Sequence, residues 1–223
     1  MTHRLLAATC VAALCTFAAG SAGAATTINF SGYQFGLNPG ETLVTDFDSP
    51  LTTAPGFTLS GPGSLLTGTT DAGAAPATSL TTWDTTQYLS VLGGDYEVLA
   101  TPQISEISFY LGSADTYNKF TFTHPGGATE VFTGVDLAAA VSEGDDGNRD
   151  ALDTNGRYTF NFSAPIDSVR LDSSENSLEV SNIGAVMPVP EPTSWALMIM
   201  GFGGVGALLR VRRRLGIPFA MPV

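Results

Sequence analysis

The stretch YTFNF, residues 158–162, decides the fold class of this chain. Its three aromatic residues alternate with polar ones, so an extended strand would turn all three rings to one face. The same period of two recurs in ISFYL (107–111) and in KFTFT (119–123). Several strands that each have one apolar face must bury those faces against each other. The pattern therefore predicts an all-β protein built as an antiparallel, jelly-roll-like β-sandwich.

Weaker patterns extend this prediction to the rest of the domain. Short apolar runs bounded by Gly, Pro, Asp or Ser predict further strands at 27–35, 43–47, 57–59, 87–92, 96–99, 169–171 and 178–183. The segment VDLAAAV (135–141), with Asp136 near its start, predicts a short helix. Ser60 to Thr82 is rich in Gly, Ser, Thr and Pro, and this composition predicts a long, mobile loop.

The N-terminal residues 1–24 have the features of a cleavable secretory signal peptide. Arg4 precedes the apolar run 5–19, and the small residues Ala22-Gly23-Ala24 form a site that signal peptidase accepts. Cleavage there, or one residue later, removes both cysteines of the chain, Cys10 and Cys15. The mature chain then has no cysteine, which excludes disulfides, thiolate catalysis and Cys-bound zinc.

The remaining chain divides into one ectodomain, 25–186, and a C-terminal segment. Between residues 25 and 190 there are 20 acidic and four basic residues, a net charge of −16. A surface of this charge repels nucleic acid, so we expect no nucleic-acid partner. About 165 residues suffice for one domain with a sizeable core.

The C-terminal segment begins with a Pro-rich linker, 187–194, which we expect to be extended. Residues 195–209 carry no charge, and as a helix they would span ~22 Å of a hydrocarbon core of ~30 Å. We therefore predict a short transmembrane helix over 195–209, with Trp195 at the interface. The positive-inside rule then makes 210–223 a basic cytoplasmic tail. Its arginines are Arg210, Arg212, Arg213 and Arg214.

Pro190-Glu191-Pro192, followed by Trp195-Ala196, an apolar Gly-rich run and an arginine cluster, resembles the PEP-CTERM sorting signal in its PEPxxWA form. The resemblance implies that the chain is a substrate of an exosortase, a membrane transpeptidase of Gram-negative bacteria that produce exopolysaccharide. It also implies transient anchoring in the inner membrane, cleavage near the motif, and transfer to the cell surface or matrix. Residues 215–223 extend beyond the usual end of such signals. A permanent single-span anchor is the alternative.

The segment LGSADTYN, 111–118, resembles the Gly-Ser-x-Asp-x-Tyr-Asn motif of one subfamily of exosortase-dependent surface proteins. That resemblance supports location and fold and implies no chemistry. From the residues alone, Asp115 and Asn118 are expected to bond nearby backbone groups and shape a tight connection between two strands. The alternative is a ligand patch of Asp115, Tyr117 and Asn118, which would suit a sugar or a cation.

A second polar cluster lies at residues 142–157 and has the alternating oxygen spacing of a calcium loop. Its candidate ligands are Asp146, Asn148, Asp150 and Asp153. The pattern is incomplete, because Ala151 occupies the position of the sharp-turn glycine and Arg157 that of the bidentate glutamate. We favour a solvated acidic loop, with calcium as the alternative, and expect no other cofactor.

Catalytic signals are weak, and we expect no enzymatic activity. His124 is the one histidine of the mature chain, in a Pro-Gly-Gly turn where we expect it to be exposed, and no G-x-S-x-G segment presents a serine. Trp83 lies in a polar region, where an exposed ring could stack on a sugar. We therefore expect a non-enzymatic surface or extracellular-matrix protein associated with exopolysaccharide or biofilm. The alternatives are a secreted carbohydrate-active hydrolase and a calcium-stabilised adhesin, each with the same tail.

Overall fold

The computed structural model describes residues 26–141, 148, 154–187 and 192–214. Within these residues the chain forms twelve strands and two helices. The first seven strands are β1 (Thr27–Phe30), β2 (Thr42–Thr45), β3 (Thr58–Ser60), β4 (Ser64–Thr67), β5 (Ala77–Ser79), β6 (Thr82–Trp83) and β7 (Gln87–Val91). The others are β8 (Tyr96–Gly112), β9 (Asn118–Thr123), β10 (Thr129–Thr133), β11 (Gly156–Ser173) and β12 (Leu178–Ala185). The helices are α1 (Gly134–Val141) and α2 (Pro192–Arg214).

Ten of these strands form one antiparallel hydrogen-bonded sheet, in the order β10-β9-β11-β8-β12-β7-β4. β1 pairs with β11, β2 with β12 and β3 with β8 beside this path, while β5 and β6 form a separate hairpin. The sheet folds around a single hydrophobic core to give a β-sandwich-like domain. The predicted all-β, antiparallel sandwich is confirmed.

The two longest strands, β8 and β11, organise the sheet. Residues 156–161 of β11 pair with 106–111 of β8, and after two register shifts 168–172 pair with 96–100. A bulge bends a strand and increases its twist, which lets one long strand serve two regions of a folded sheet. The sequence patterns predict two shorter strands in place of each: 96–99 and 107–111 within β8, and 158–162 and 169–171 within β11.

The core is centred on aromatic rings from neighbouring strands. The ring centroid of Phe160 lies 4.8 Å from that of Phe122, 5.6 Å from Phe120 and 6.0 Å from Phe109. The three stretches singled out by their period of two supply these rings, and the predicted inward positions are fully buried. Aromatic pairs at such separations add to the stabilisation that their burial provides.

Two of the finer predictions have opposite outcomes. The helix expected at 135–141 is present as α1, and the carboxylate of Asp136 accepts hydrogen bonds from the Thr133 backbone N–H at 2.7 Å and hydroxyl at 2.9 Å. The predicted loop over residues 60–82 is wrong, since β4 and β5 lie within it and β6 begins at its end. Leu65 pairs there with Leu89 of β7, because Ser and Thr are compatible with edge strands and Thr favours them.

The C-terminal helix α2 is longer than predicted. It begins at Pro192, inside the expected extended linker, and continues through the arginine cluster to Arg214. Proline is tolerated in the first helical turn, because the backbone N–H that it lacks would have no partner within the helix. In the part of the chain that the structure describes, no helix combines the length and apolar character needed to cross a membrane, so the predicted transmembrane span is not confirmed. The predicted signal peptide, 1–24, lies outside the described residues.

Candidate functional site

The predicted ligand patch lies on the connection between β8 and β9. Backbone bonds hold this connection closed: Ala114 N–H donates to Thr154 O at 2.8 Å, and Asn118 N–H to Asp115 O at 2.9 Å. The Ser113 N–H donates to the side-chain Oδ1 of Asn155 at 3.0 Å. The connection is therefore tight, as predicted, and the bonds that close it here come from backbone groups and from the Asn155 side chain.

The structure brings two of the three patch residues to the same pocket. Tyr117 and Asn118 line a pocket of about 330 Å³, together with Asp95, Lys119 and Asp172 among others. Asn118 is fully buried, and its Nδ2 has no hydrogen-bond partner within the described residues. Its Oδ1 accepts a bond from Ser173 Oγ at 3.2 Å.

Asp115 does not line this pocket; it lies beside Tyr117 and near the buried carboxyl of Glu179. Glu179 is 3% exposed, and its Oε1 accepts bonds from Ala74 N–H at 2.9 Å and Ser177 Oγ at 2.5 Å. Burial, with a smaller contribution from the charge of Asp115, raises the pKa of Glu179 to about 7. This carboxyl therefore changes its protonation state near neutral pH.

Tyr117 bridges this cluster and the pocket. Its hydroxyl donates to Asn176 O at 3.0 Å, and burial together with the neighbouring Asp115 raises the pKa of Tyr117. The hydroxyl stays protonated at every physiological pH and acts as a hydrogen-bond donor rather than a base. One sequence signal for this cluster exists, an acidic residue within the apolar pattern of β12, and sequence reasoning did not use it.

Arg157 does not belong to the acidic loop in which the sequence placed it. Its side chain is fully buried and donates from Nε to Gly36 O at 2.9 Å and from Nη2 to Phe35 O at 2.9 Å. It also donates from Nη1 to Ser108 Oγ at 2.7 Å and from Nη2 to Asn182 Oδ1. Burial lowers the pKa of Arg157 from its ordinary value. Its guanidinium binds the 34–36 segment to the sheet.

The calcium prediction is not tested by the structure. Asp146, Asp150 and Asp153 lie outside the described residues, whereas Asn148 is described. The carbonyl of Asn148 accepts bonds from the Thr154 hydroxyl at 2.6 Å and from Asn155 Nδ2 at 3.0 Å. Among the described residues, no three His, Cys, Asp or Glu side chains cluster as a metal site.

His124 lies in the turn between β9 and β10, as predicted, but its side chain is not exposed. Only 12% of the side chain is accessible, because Nδ1 lies 2.8 Å from Pro165 O and Nε2 lies 2.7 Å from Glu130 Oε1. The Nδ1 contact holds the β9–β10 turn against β11, and the Nε2 contact joins the turn to β10. The histidine therefore has a structural role.

Of the sorting-signal residues, those from Pro192 onward are described. Pro190 and Glu191 lie outside the described residues, while Trp195 and Arg210 are exposed on α2. Arg212, Arg213 and Arg214 form the last residues of that helix. Large apolar side chains on α2 are also exposed, among them Ile199 and Phe202. The helix thus presents apolar surface and ends in arginines.

Comparison with solved structures gives only weak similarities. They include a peptidoglycan O-acetylesterase (11% identity, TM-score 0.34, 66% of this chain and 33% of that chain) and CpGH89CBM32-6 produced by Clostridium perfringens (10%, 0.29, 59% and 94%). Truncated AlyQ with CBM32 and alginate lyase domains is 11% identical, with TM-score 0.27 over 60% of this chain and 35% of that chain. The chain thus spans about a third of the esterase chain. At these TM-scores the similarities carry no argument.

Comparison by sequence is more specific. No curated protein matches the chain significantly. The family model of the PEP-CTERM protein-sorting motif matches residues 188–214, the segment that contains α2 and the Pro-Glu-Pro triplet whose last residue begins α2. Such a motif implies export and processing by an exosortase. This chain therefore carries a PEP-CTERM protein-sorting motif at residues 188–214.

Proposed function

We propose that this chain is a non-enzymatic surface or extracellular-matrix protein, which an exosortase releases from its C-terminal signal and which associates with exopolysaccharide and biofilm. The sorting motif at 188–214, attached to a β-sandwich-like domain, is the observation that carries the proposal. Two enzymes process the chain in sequence: signal peptidase removes 1–24, and the exosortase then acts near Pro190-Glu191-Pro192.

The exposed side chains of α2 support a transient membrane stage. Apolar residues such as Leu197, Ile199 and Phe202 are more than 60% exposed, which a soluble domain would bury. By the positive-inside rule, the arginines keep the C-terminal end of the helix on the cytoplasmic side of the membrane. As a helix, residues 195–209 are shorter than the ~30 Å thickness of the hydrocarbon core. The segment therefore serves as a temporary attachment to the inner membrane of a Gram-negative cell. The acidic domain then lies on the outer side.

The non-enzymatic part of the proposal is supported by how the candidate catalytic groups are used. Glu179 accepts hydrogen bonds that tie the Ala74 segment to β12, and both nitrogens of His124 contact neighbouring strands. Asp84 accepts bonds from Thr86 N–H and hydroxyl, both at 2.8 Å. Groups held in this way stabilise the domain.

Mass spectrometry of the protein recovered from cells with and without a functional exosortase tests the proposal. We expect mature protein from normal cells to begin at residue 25 or 26 and to end near Pro192, without Trp195 and the arginines. Cells without exosortase should accumulate a form that still contains them. The substitution Glu191→Ala should reproduce that accumulation. Glu175→Ala is the control, because Glu175 is an exposed carboxyl in the ectodomain, and it should not cause accumulation. Mature protein from normal cells that retains residues 195–214 would contradict the proposal.

A further inference from the structure

The β5–β6 hairpin stands apart from the main sheet. It consists of Ala77–Ser79 paired with Thr82–Trp83, and it forms no ladder with the other ten strands. An isolated two-stranded hairpin is marginally stable in water, so contacts from elsewhere must hold it. Its contribution to the hydrophobic core is confined to its base, at Ala77, and Leu80 at its turn is 67% exposed.

Buried hydrogen bonds fix this hairpin to the domain. The hydroxyl of Tyr110 on β8 donates to Ala77 O at 2.6 Å, and Asp84 N–H donates to Pro76 O at 2.8 Å. The carboxylate of Asp84 is 6% exposed and accepts a bond from Ser181 Oγ on β12. Trp83 therefore lies between two anchored positions, and its backbone has little freedom.

Trp83 forms one wall of a pocket of about 440 Å³, although 40% of its surface is exposed. The rest of the lining consists of small residues, hydroxyl-bearing residues and one carboxylate: Gly68, Thr69, Ala75, Thr81, Thr82, Asp84 and Thr85. An aromatic ring on an anchored backbone, beside threonines, offers an apolar face and uncharged hydrogen-bonding groups together. A pyranose ring has the same two properties, with C–H groups on its face and hydroxyls on its edge.

We propose that the Trp83 pocket binds a sugar ring of a neutral polysaccharide. The inference rests on the proposed association with exopolysaccharide. It identifies where on the domain the polysaccharide binds and to which chemical class the polysaccharide belongs. The ring of Trp83 stacks on the C–H face of the sugar, and the threonine hydroxyls bond to its edge. The anchors at Ala77 and Asp84 hold the backbone of Trp83 in place before binding, which reduces the entropy lost on association.

The charges of the domain select a neutral sugar over an acidic one. The lining contains no basic residue, and its one carboxylate, Asp84, is buried and hydrogen-bonded. The described cations of the ectodomain are occupied elsewhere: Lys119 lines the other pocket, Arg157 is buried, and Arg170 lies 3.9 Å from the ring of Tyr96. With a net charge of −16 between residues 25 and 190, the domain repels a uronate chain.

The chain contains only two tryptophans, Trp83 and Trp195, which permits a direct test. In the full chain carrying Trp195→Phe, purified in a detergent without a sugar headgroup, the tryptophan fluorescence, excited selectively over that of tyrosine, comes from Trp83 alone. The probes are the neutral and anionic fractions of exopolysaccharide from the producing cells, separated by anion exchange. We expect the neutral fraction to change the Trp83 emission saturably, and the anionic fraction to leave it unchanged.

Retardation in gels containing each fraction extends the test to variants without Trp83. Trp83→Ala should weaken binding of the neutral fraction at least tenfold, Trp83→Phe should retain part of it, and Leu80→Ala, on the same hairpin but outside the pocket, should bind normally. Melting temperatures confirm that each variant is folded. Retardation that survives Trp83→Ala, preference for the anionic fraction, or no response to the neutral one would overturn the inference. None of these outcomes alters the C-terminus found by mass spectrometry, so the two proposals fail separately.

Discussion

The guanidinium of Arg157 on β11 donates from Nη1 to the hydroxyl of Ser108 on β8, at 2.7 Å, in the interior of the domain. The same group lies 5.9 Å from the ring centroid of Tyr110 and bonds to carbonyls of the 34–36 segment. A buried cation is stable only when its donors are satisfied. Arg157 thus joins two central strands to a segment that has no strand of its own.

Arg157→Met should destabilise the domain by about 3–5 kcal/mol, because it leaves several buried acceptors without donors. Arg157→Lys keeps the charge but has fewer donors and a different shape, so its cost should be intermediate. The measurement is the free energy of unfolding in urea. Arg170→Lys is the matched control: its side chain is 45% exposed and pairs with Asp172, and it should cost under about 1 kcal/mol. Equal losses at both positions would argue against the role of Arg157.

Glu179 should make stability fall as the pH rises. Its pKa is about 7 in the folded protein, against an ordinary value of 4.5, so the folded state binds more protons than the unfolded state between these values. The stabilisation is complete below pH 4.5 and is lost as the pH passes 7, a difference of roughly 3 kcal/mol. Burial also raises the pKa values of Glu97 and Glu106, which act in the same direction.

Urea unfolding at a series of pH values between 5 and 8.5 measures this dependence. Glu179→Gln keeps an acceptor for Ala74 N–H but cannot ionise, so its stability should vary much less over this range. Glu175→Gln makes the same change in net charge, but on an exposed side chain. In this variant the free energy of unfolding should depend on pH as it does in the parent. If stability depends on pH equally in Glu179→Gln and in the parent, Glu179 is not the source of that dependence.

Gly134 should not tolerate a side chain. A Cβ at this position would lie 1.8 Å from the carbonyl oxygen of Asp115, so either the start of α1 or the β8–β9 connection must move. Gly134→Ala should therefore cost about 2–3 kcal/mol despite the better helix propensity of alanine. Gly36→Ala serves as the control, since nothing lies within 4 Å of its added Cβ. A melting temperature for Gly134→Ala equal to that of the parent would refute the clash.

The arginines at the end of α2 should act through charge. Replacing Arg210, Arg212, Arg213 and Arg214 by glutamine should remove the orientation signal and reduce the amount of processed protein severalfold. Replacement of the same four by lysine keeps the charge and should process normally. Immunoblots of cell and medium fractions measure the ratio of processed to unprocessed chain. Similar ratios for both variants would mean that charge does not direct processing.

The sequence by itself determined the features that depend on neighbouring residues. The period of two in 107–111, 119–123 and 158–162 specified strands and their buried faces, because successive side chains on a strand alternate between its faces. The segment 135–141 specified a helix, and the triplet at 190–192 with the arginines after it specified the sorting motif. Each of these signals lies within one short stretch of chain.

Only the tertiary structure decided which distant residues meet. Glu179 lies 105 positions from Ala74 along the chain, and Arg157 lies 121 positions from Gly36, yet each pair is joined by a hydrogen bond. Such contacts depend on strand order and on the register shifts after Asn161, which no local pattern specifies. The anchoring of Trp83 is decided in the same way, through Tyr110 and Ser181 on two strands of the main sheet. Local alternation fixes which side of a strand is buried, whereas the pairing of strands fixes what each buried polar group contacts.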